Sequence, residues 1–280
     1  MSCFNPQLSS SYSNRPCISS SDRTYEVSYA DGSYSSGTYS CDTVTLDDVK
    51  TKIQFGCAQH FHGDFSNVDG MLGLGPGQFS FVSQIASKAF SYCLPSVGSF
   101  IGHLRFGNQA TNAHKFTPLE IDSNYYVKVL EITVGRKKLK LPESMSSSPG
   151  AILDSGTTIT RLPKSAYDDL KSAFRELMTS YTPAPPEDIL DTCYYPTGLK
   201  NVMIPNIVMH FEGADVSLHP AGILWAVPKS PIKLCLAFAA KNSREGGKGP
   251  AIIGSTQQKT MDVLYDLERR TVGFAMNGCH

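Results

Sequence analysis

At 280 residues the chain is long enough for one large domain or two ordinary ones. Its 25 basic and 25 acidic residues cancel, no run of Lys or Arg builds a phosphate-binding stripe, and no stretch reaches the ~20 consecutive apolar residues of a bilayer span, which argues against nucleic-acid and membrane partners. Charged residues are only 18%, while Gly, Pro, Ser and Thr are scattered throughout, a composition that favours strands and turns over a helical bundle.

In chain order, short β-type runs come first: Tyr25 to Tyr29, Thr43 to Leu46, Ile53 to Phe55 and His103 to Phe106, separated by Gly, Ser or Asp-Gly turns. Phe81, Val82 and Ile85 hint at one short helix. A break in composition from Thr117-Pro118 to Asp122-Ser123-Asn124 precedes a fresh alternating strand, Tyr126 to Leu130, and the lobe boundary is placed there, giving lobes 1–122 and 123–280. Further on, Ala151 to Leu153 and Thr158 to Leu162 read as strands flanking a tight turn at Asp154-Ser155-Gly156-Thr157. Pro163 then opens a helix whose apolar face is Tyr167, Leu170, Phe174, Leu177 and Met178 at 3.6-residue spacing. Alternation resumes at Ile207 to Met209, Leu234 to Phe238, Ala251 to Ile253, Val263 to Tyr265 and Thr271 to Ala275.

The segment Asp154-Ser155-Gly156-Thr157 carries the most chemical information. An acid on a strand-end turn can sit in a cleft, the glycine lets a backbone N–H approach the carboxylate, and the hydroxyls at 155 and 157 can fix its orientation. Eight cysteines stand far apart, with no Cys-x-x-Cys and no zinc spacing; disulfides in an oxidising compartment are expected, with free thiols of a cytosolic protein as the alternative. Against secretion, Met1 to Tyr12 is polar, unlike a leader peptide. His60 and His62 lack a third ligand and read as a surface pair, so no metal and no cofactor is expected. Trp225 reads as core or wall.

Taken with Tyr29-Ala30-Asp31-Gly32, Phe55-Gly56-Cys57, Asp69-Gly70-Met71-Leu72-Gly73, Phe90-Ser91-Tyr92-Cys93, Asp191-Thr192-Cys193, Cys235-Leu236-Ala237-Phe238, Ile252-Ile253-Gly254 and Val263-Leu264-Tyr265-Asp266, the sequence resembles the pepsin-like aspartic proteases. Within them it is most similar to the plant nepenthesin-like branch. The resemblance implies a mostly β, bilobal fold with a few short helices and an incomplete first lobe. It makes Asp154 the catalytic aspartate of the C-terminal lobe, Thr157 the hydroxyl that orients it, and Ser155 a brace between active-site loops, with Gly156 completing the turn. Tyr29, Asp31 and Gly32 fall where the family's flap covers a peptide substrate, although Ala30 replaces the usual glycine. The same pattern pairs Cys193 with Cys235 and Cys93 with Cys279, and leaves Cys17 without its usual partner.

In this family one ionised carboxylate takes a proton from water while a second, protonated one polarises the scissile carbonyl. The signature of two apolar residues and Gly occurs twice here, at 71–73 and 252–254, but Asp-Thr/Ser-Gly occurs once. Asp22, Asp31, Asp42, Asp47, Asp48, Asp64 and Asp69 are none of them followed by Thr/Ser-Gly, so the chain is expected to begin after the first catalytic aspartate and to be inactive alone. The resemblance further implies a monomer acting on protein or peptide substrates in the extracellular space or vacuole. The alternative is a non-catalytic, protein-binding relative like the plant xylanase inhibitors.

Overall fold

A computed structural model describes residues 5–18, 22–29, 32–46, 49–63, 65, 68–96, 101–196, 202–228, 231–241 and 249–279. The chain is mostly β and divides by compactness into residues 1–87 and 88–280. That division falls earlier than the composition break at 117–124, because residues 89–118 supply strands that hydrogen-bond to the end of the chain.

The first unit holds a three-stranded antiparallel sheet, Thr24–Ser28, Tyr34–Leu46 and Val49–His62, with Tyr34–Leu46 in the middle. Its two long strands, 13 and 14 residues, far exceed the fragments visible in the sequence. Much of their length is polar, and residues 58–62 are exposed on both faces, so no apolar alternation marks it, and hairpin pairing defines it. The register slips between Ser36 and Gly37, where a Cβ would lie 2.1 Å from the Cys57 carbonyl oxygen, so only glycine passes. The short helix Phe81–Gln84 starts at Ser80, whose side chain accepts from the Ser83 N–H, and buries Phe81 and Val82. Gln84 ties it to the sheet, accepting from the Gln54 N–H at 2.7 Å and donating to the Gln54 carbonyl at 2.8 Å.

Cys17, expected to lack a partner, is disulfide-bonded to Cys41. A backbone bridge between Ser13 and Cys41 lays the N-terminal segment along the central strand and brings the two cysteine Cα atoms to 6.0 Å. Beside it, Asp42 is buried and accepts from Ser11 Oγ at 2.5 Å, Ser9 Oγ at 2.9 Å and its neighbour's Thr43 N–H at 2.7 Å. Burial would raise this carboxyl's pKa, but the donors, helped by Lys52, outweigh it and hold the value below the ordinary one. Among the described residues Cys57 is the one free cysteine, half-buried on the third strand; Cys3 lies outside the described residues.

Among the described residues the second unit holds four sheets. A five-stranded one runs in the order His103–Phe106, Ala89–Cys93, Asp262–Asp266, Thr271–Ala275, Lys115–Pro118, and its two strands Ala89–Cys93 and Asp262–Asp266 are buried at every residue. The six-stranded sheet holds Phe238–Ala240, Thr160–Leu162, Ile252–Ile253, Ala151–Leu153, Tyr125–Val127 and Glu120–Ile121. The expected strand from Tyr126 to Leu130 is broken at Lys128, and the run from Leu234 to Phe238 divides between two sheets. Pro163 caps the helix Lys164–Leu177, which buries Ala166, Tyr167, Leu170, Ala173 and Phe174 as one stripe. Met178 is buried as expected, whereas Leu177, on the same face as that stripe but the last residue of the helix, is 50% exposed.

Cys93 pairs with Cys279 and Cys193 with Cys235, the latter directly opposite each other on adjacent strands. Trp225 packs against the cluster around Cys193 and Cys235, with Lys259 Nζ 5.0 Å from its ring centre.

Two outcomes follow from these restraints. The Cys93–Cys279 bridge closes a 186-residue loop, so Cys279→Ser should cost about 2–5 kcal/mol, read by urea unfolding followed through the fluorescence of Trp225, the chain's single tryptophan. Asp42, whose folded pKa is depressed, stabilises the first unit above the unfolded carboxylate value near ~3.9, and that contribution fades as pH falls through the lower folded value. Acid titration from about pH 6 to 2 should therefore loosen the amides of residues 13 and 41, and Asp42→Asn should flatten the dependence.

Candidate active site

Asp154 leaves the strand Ala151–Leu153, whose Ala151 and Leu153 are buried, and its own N–H donates to the Ile253 carbonyl at 3.0 Å. The chain then turns back so tightly that both carboxylate oxygens are held from within the loop. The Gly156 N–H donates to Oδ1 at 2.8 Å, and the Thr157 hydroxyl to Oδ2 at 2.7 Å. With one donor on each oxygen the carboxylate plane is fixed, while Asp154 stays half-buried and Ser155 and Gly156 are exposed. The result is an oriented acid open to solvent.

What fixes the loop is the strand Ile252–Ile253, which pairs parallel to Ala151–Leu153 and antiparallel to Thr160–Leu162. Ile252, Ile253 and Gly254 thus pass between the two limbs of the turn. At Gly254 a Cβ would lie 2.7 Å from the Thr157 carbonyl oxygen and 2.9 Å from that of Thr158, so the close crossing requires glycine. Beyond it the Ser255 and Thr256 N–H groups donate to those same carbonyls, at 2.7 and 3.1 Å. Gly254 N–H donates to Thr160 Oγ1 at 2.9 Å, and that buried hydroxyl donates to Gln257 Oε1. Gln257 Nε2 continues to the Gly222 and Ala237 carbonyls at 2.7 and 2.9 Å.

Sequence reasoning located Asp154, Ser155, Gly156 and Thr157, and they form one loop. It passed over Thr160 and Gln257, and the one available signal was position: Gln257-Gln258 is an uncharged polar pair separated by two residues from Ile252-Ile253-Gly254, and both are 1% exposed. Tyr29 and Gly32 lie in the first unit, at the turn between Thr24–Ser28 and Tyr34–Leu46. Tyr29 N–H donates to the Ser33 carbonyl at 2.8 Å, Gly32 N–H to the Tyr29 carbonyl at 3.0 Å, and Gly32 takes φ +86°. Ala30 and Asp31 lie outside the described residues. Tyr29 is 36% exposed and its ring centre sits 6.0 Å from that of Phe65. The other copy of the two-apolar-Gly signature looks quite different from its counterpart: Met71 and Leu72 are 58% and 44% exposed, and a Cβ on Gly73 would meet nothing within 4 Å. His60 and His62 are exposed, and among the described residues no group of three or more His, Cys, Asp or Glu is arranged to hold a metal.

Two family models match the chain, "Xylanase inhibitor N-terminal" over residues 1–108 and "Xylanase inhibitor C-terminal" over residues 124–276. Aspartic proteinase nepenthesin-2 of Nepenthes gracilis is 33% identical over 304 residues, a match covering 99% of this chain and 68% of nepenthesin-2. The chain belongs to the pepsin-like aspartic protease family. An aspartyl protease family protein of Arabidopsis thaliana is 40% identical over 304 residues, and aspartyl protease AED1 of the same plant is 40% identical over 297 residues. This family member spans 63% and 62% of the length of those two relatives.

The crossing at Gly254 yields a direct test. Gly254→Ala places a methyl against backbone oxygens that cannot swing aside, and should destabilise the second unit by about 1–3 kcal/mol, measured by thermal melting in near-ultraviolet circular dichroism.

Proposed function

We propose that this protein belongs to an aspartic endopeptidase in which Asp154 is one of two carboxylates that activate water for peptide-bond hydrolysis. The observation that carries the reading is the pair of donors on Asp154, one to each oxygen, in a loop that leaves the acid open to solvent. A purely structural aspartate has no need of such presentation. In the reaction one ionised carboxylate accepts a proton from water as the water oxygen bonds to the carbonyl carbon. Its protonated partner donates to the carbonyl oxygen, and breaking of the C–N bond returns a proton to the leaving amine. Like charges that close cannot both ionise, so such a pair loses its two protons in well separated steps, the first below the ordinary carboxylate range and the second above it.

The 280 residues hold one Asp-Thr/Ser-Gly, so we assign the second acid to a segment of the protein beyond them. The bare Met71-Leu72-Gly73 supports this. It is the counterpart of a strand that, at Ile252-Ile253-Gly254, is wrapped by a carboxylate loop, and its exposed apolar side chains are suited to receiving another. Tyr29, Asp31 and Gly32 are assigned to the flap over a protein or peptide substrate, the enzyme to a monomer, and its place to the extracellular space or vacuole. Three disulfides accord with an oxidising compartment, and no helix among the described residues is long and apolar enough to cross a membrane.

The match to both xylanase-inhibitor family models favours a second reading, a binding protein that occludes a xylanase without cleaving it. Incubation with denatured globin at about pH 3–5 separates the readings. A form extended to the length of its relatives and carrying a second Asp-Thr/Ser-Gly should cleave, with cleavage lost in Asp154→Asn. The 280 residues alone should be slower by about 10²–10⁴ for want of one acid. No cleavage by the extended form, together with inhibition of a xylanase, would establish the second reading instead. Pepstatin-sensitive cleavage by the 280 residues alone would overturn the assignment of the second acid elsewhere.

A further inference from the structure

Behind the Asp154 loop lies a buried polar chain that the reaction does not use directly. Tyr92, in the strand Ala89–Cys93, is 5% exposed, and its hydroxyl donates to Oε1 of Gln258, itself 1% exposed. The other end of that amide, Nε2, donates to the Ile253 carbonyl at 3.0 Å and the Gly254 carbonyl at 3.3 Å. Ile253's carbonyl is the acceptor of the Asp154 N–H. The Tyr265 hydroxyl stands 3.3 Å from that of Tyr92. The path therefore runs from the Asp154 backbone through Ile253 and Gln258 to Tyr92 and Tyr265.

We propose that Tyr92 and Gln258 are positioning residues for the Asp154 carboxylate: they hold the Ile253-Gly254 backbone against the loop. The amide uses both of its ends, and the Tyr92 oxygen donates to Gln258 while remaining an acceptor for Tyr265. Burial raises the pKa of both phenols well above the ordinary value. The phenols therefore stay protonated donors throughout the range in which carboxylates titrate, and the loop keeps its support while the acid it carries changes charge. Phe90 stacks flat on Tyr265 with ring centres 4.6 Å apart, so the rings are fixed by packing as well as by hydrogen bonds.

The inference rests on reading Asp154 as catalytic, but its test uses no substrate, so cleavage assays judge that reading separately. Amide hydrogen exchange is measured by NMR on the full 280-residue chain and on Tyr92→Phe and Gln258→Met. The amides of Asp154, Ser255 and Thr256 should exchange at least about tenfold faster in both variants. Amides of Val129–Val134 and Ile207–Phe211, in a separate sheet, should stay within about twofold. The scalar coupling across the hydrogen bond from the Asp154 nitrogen to the Ile253 carbonyl carbon should weaken in parallel. Equal acceleration in both sheets would mean that Tyr92 and Gln258 merely fill the core. Unchanged exchange at Asp154 in folded Tyr92→Phe and Gln258→Met would likewise overturn the proposal.

Discussion

Everything at the candidate site depends on the crossing of Gly254 through the Asp154 turn. A turn of four residues carrying an acid, a glycine and two hydroxyls has little to hold it by itself, and Asp-Ser-Gly-Thr in isolation would sample many shapes. Here the two limbs of the turn, Ala151–Leu153 and Thr160–Leu162, are stitched to the same short strand between them. Close passage is possible only where no side chain intervenes. The carboxylate's two internal donors can then act on a backbone already in place. Such preorganisation is what electrostatic catalysis requires, because dipoles fixed beforehand need no rearrangement at the moment of reaction.

The two buried glutamine amides beside that crossing are partnered at both ends. Thr160 and Gln257 satisfy one side of Gly254, and Gln258 the other. In an apolar interior a half-satisfied amide is more harmful than none, so two adjacent buried glutamines persist only where each end meets a partner. The second unit carries these groups beneath an aromatic layer of Phe90, Tyr92, Tyr125 and Tyr265, in which burial pushes the Tyr125 phenol up to about 12.

Much of the architecture was legible in the sequence where side chains alternate or recur with a period. The helix after Pro163, the strands at Ala151 and Thr271, and the acid turn all announce themselves by apolar pattern and by glycine. The long hairpin of the first unit does not, because residues such as Ser35, Ser36, Gln59 and His60 carry no apolar face; their strand character comes from cross-strand pairing. Leu177 was misassigned for the complementary reason, since periodicity marks its face without showing that the helix ends there. The resemblance supplied the pairing of Cys193 with Cys235 and of Cys93 with Cys279, yet not that of Cys17. That bond depends on how the N-terminal segment lies along the strand at Cys41, which no spacing rule encodes. Tyr92 and Gln258 stood in quoted segments or beside them without any role, because a hydrogen bond between residues so far apart leaves no mark on local sequence.

The parallel pairing of Ile152 with Ile252 also has a bearing on biosynthesis. The two partners are separated by about a hundred residues, so the loop cannot close when it leaves the ribosome and must wait for nearly the whole of the remaining chain. Until Gly254 arrives, Asp154 sits on an ordinary solvated turn without a fixed orientation. The acid thus acquires its geometry among the last parts of the unit to form, and a nascent or interrupted polypeptide carries the residue without the site.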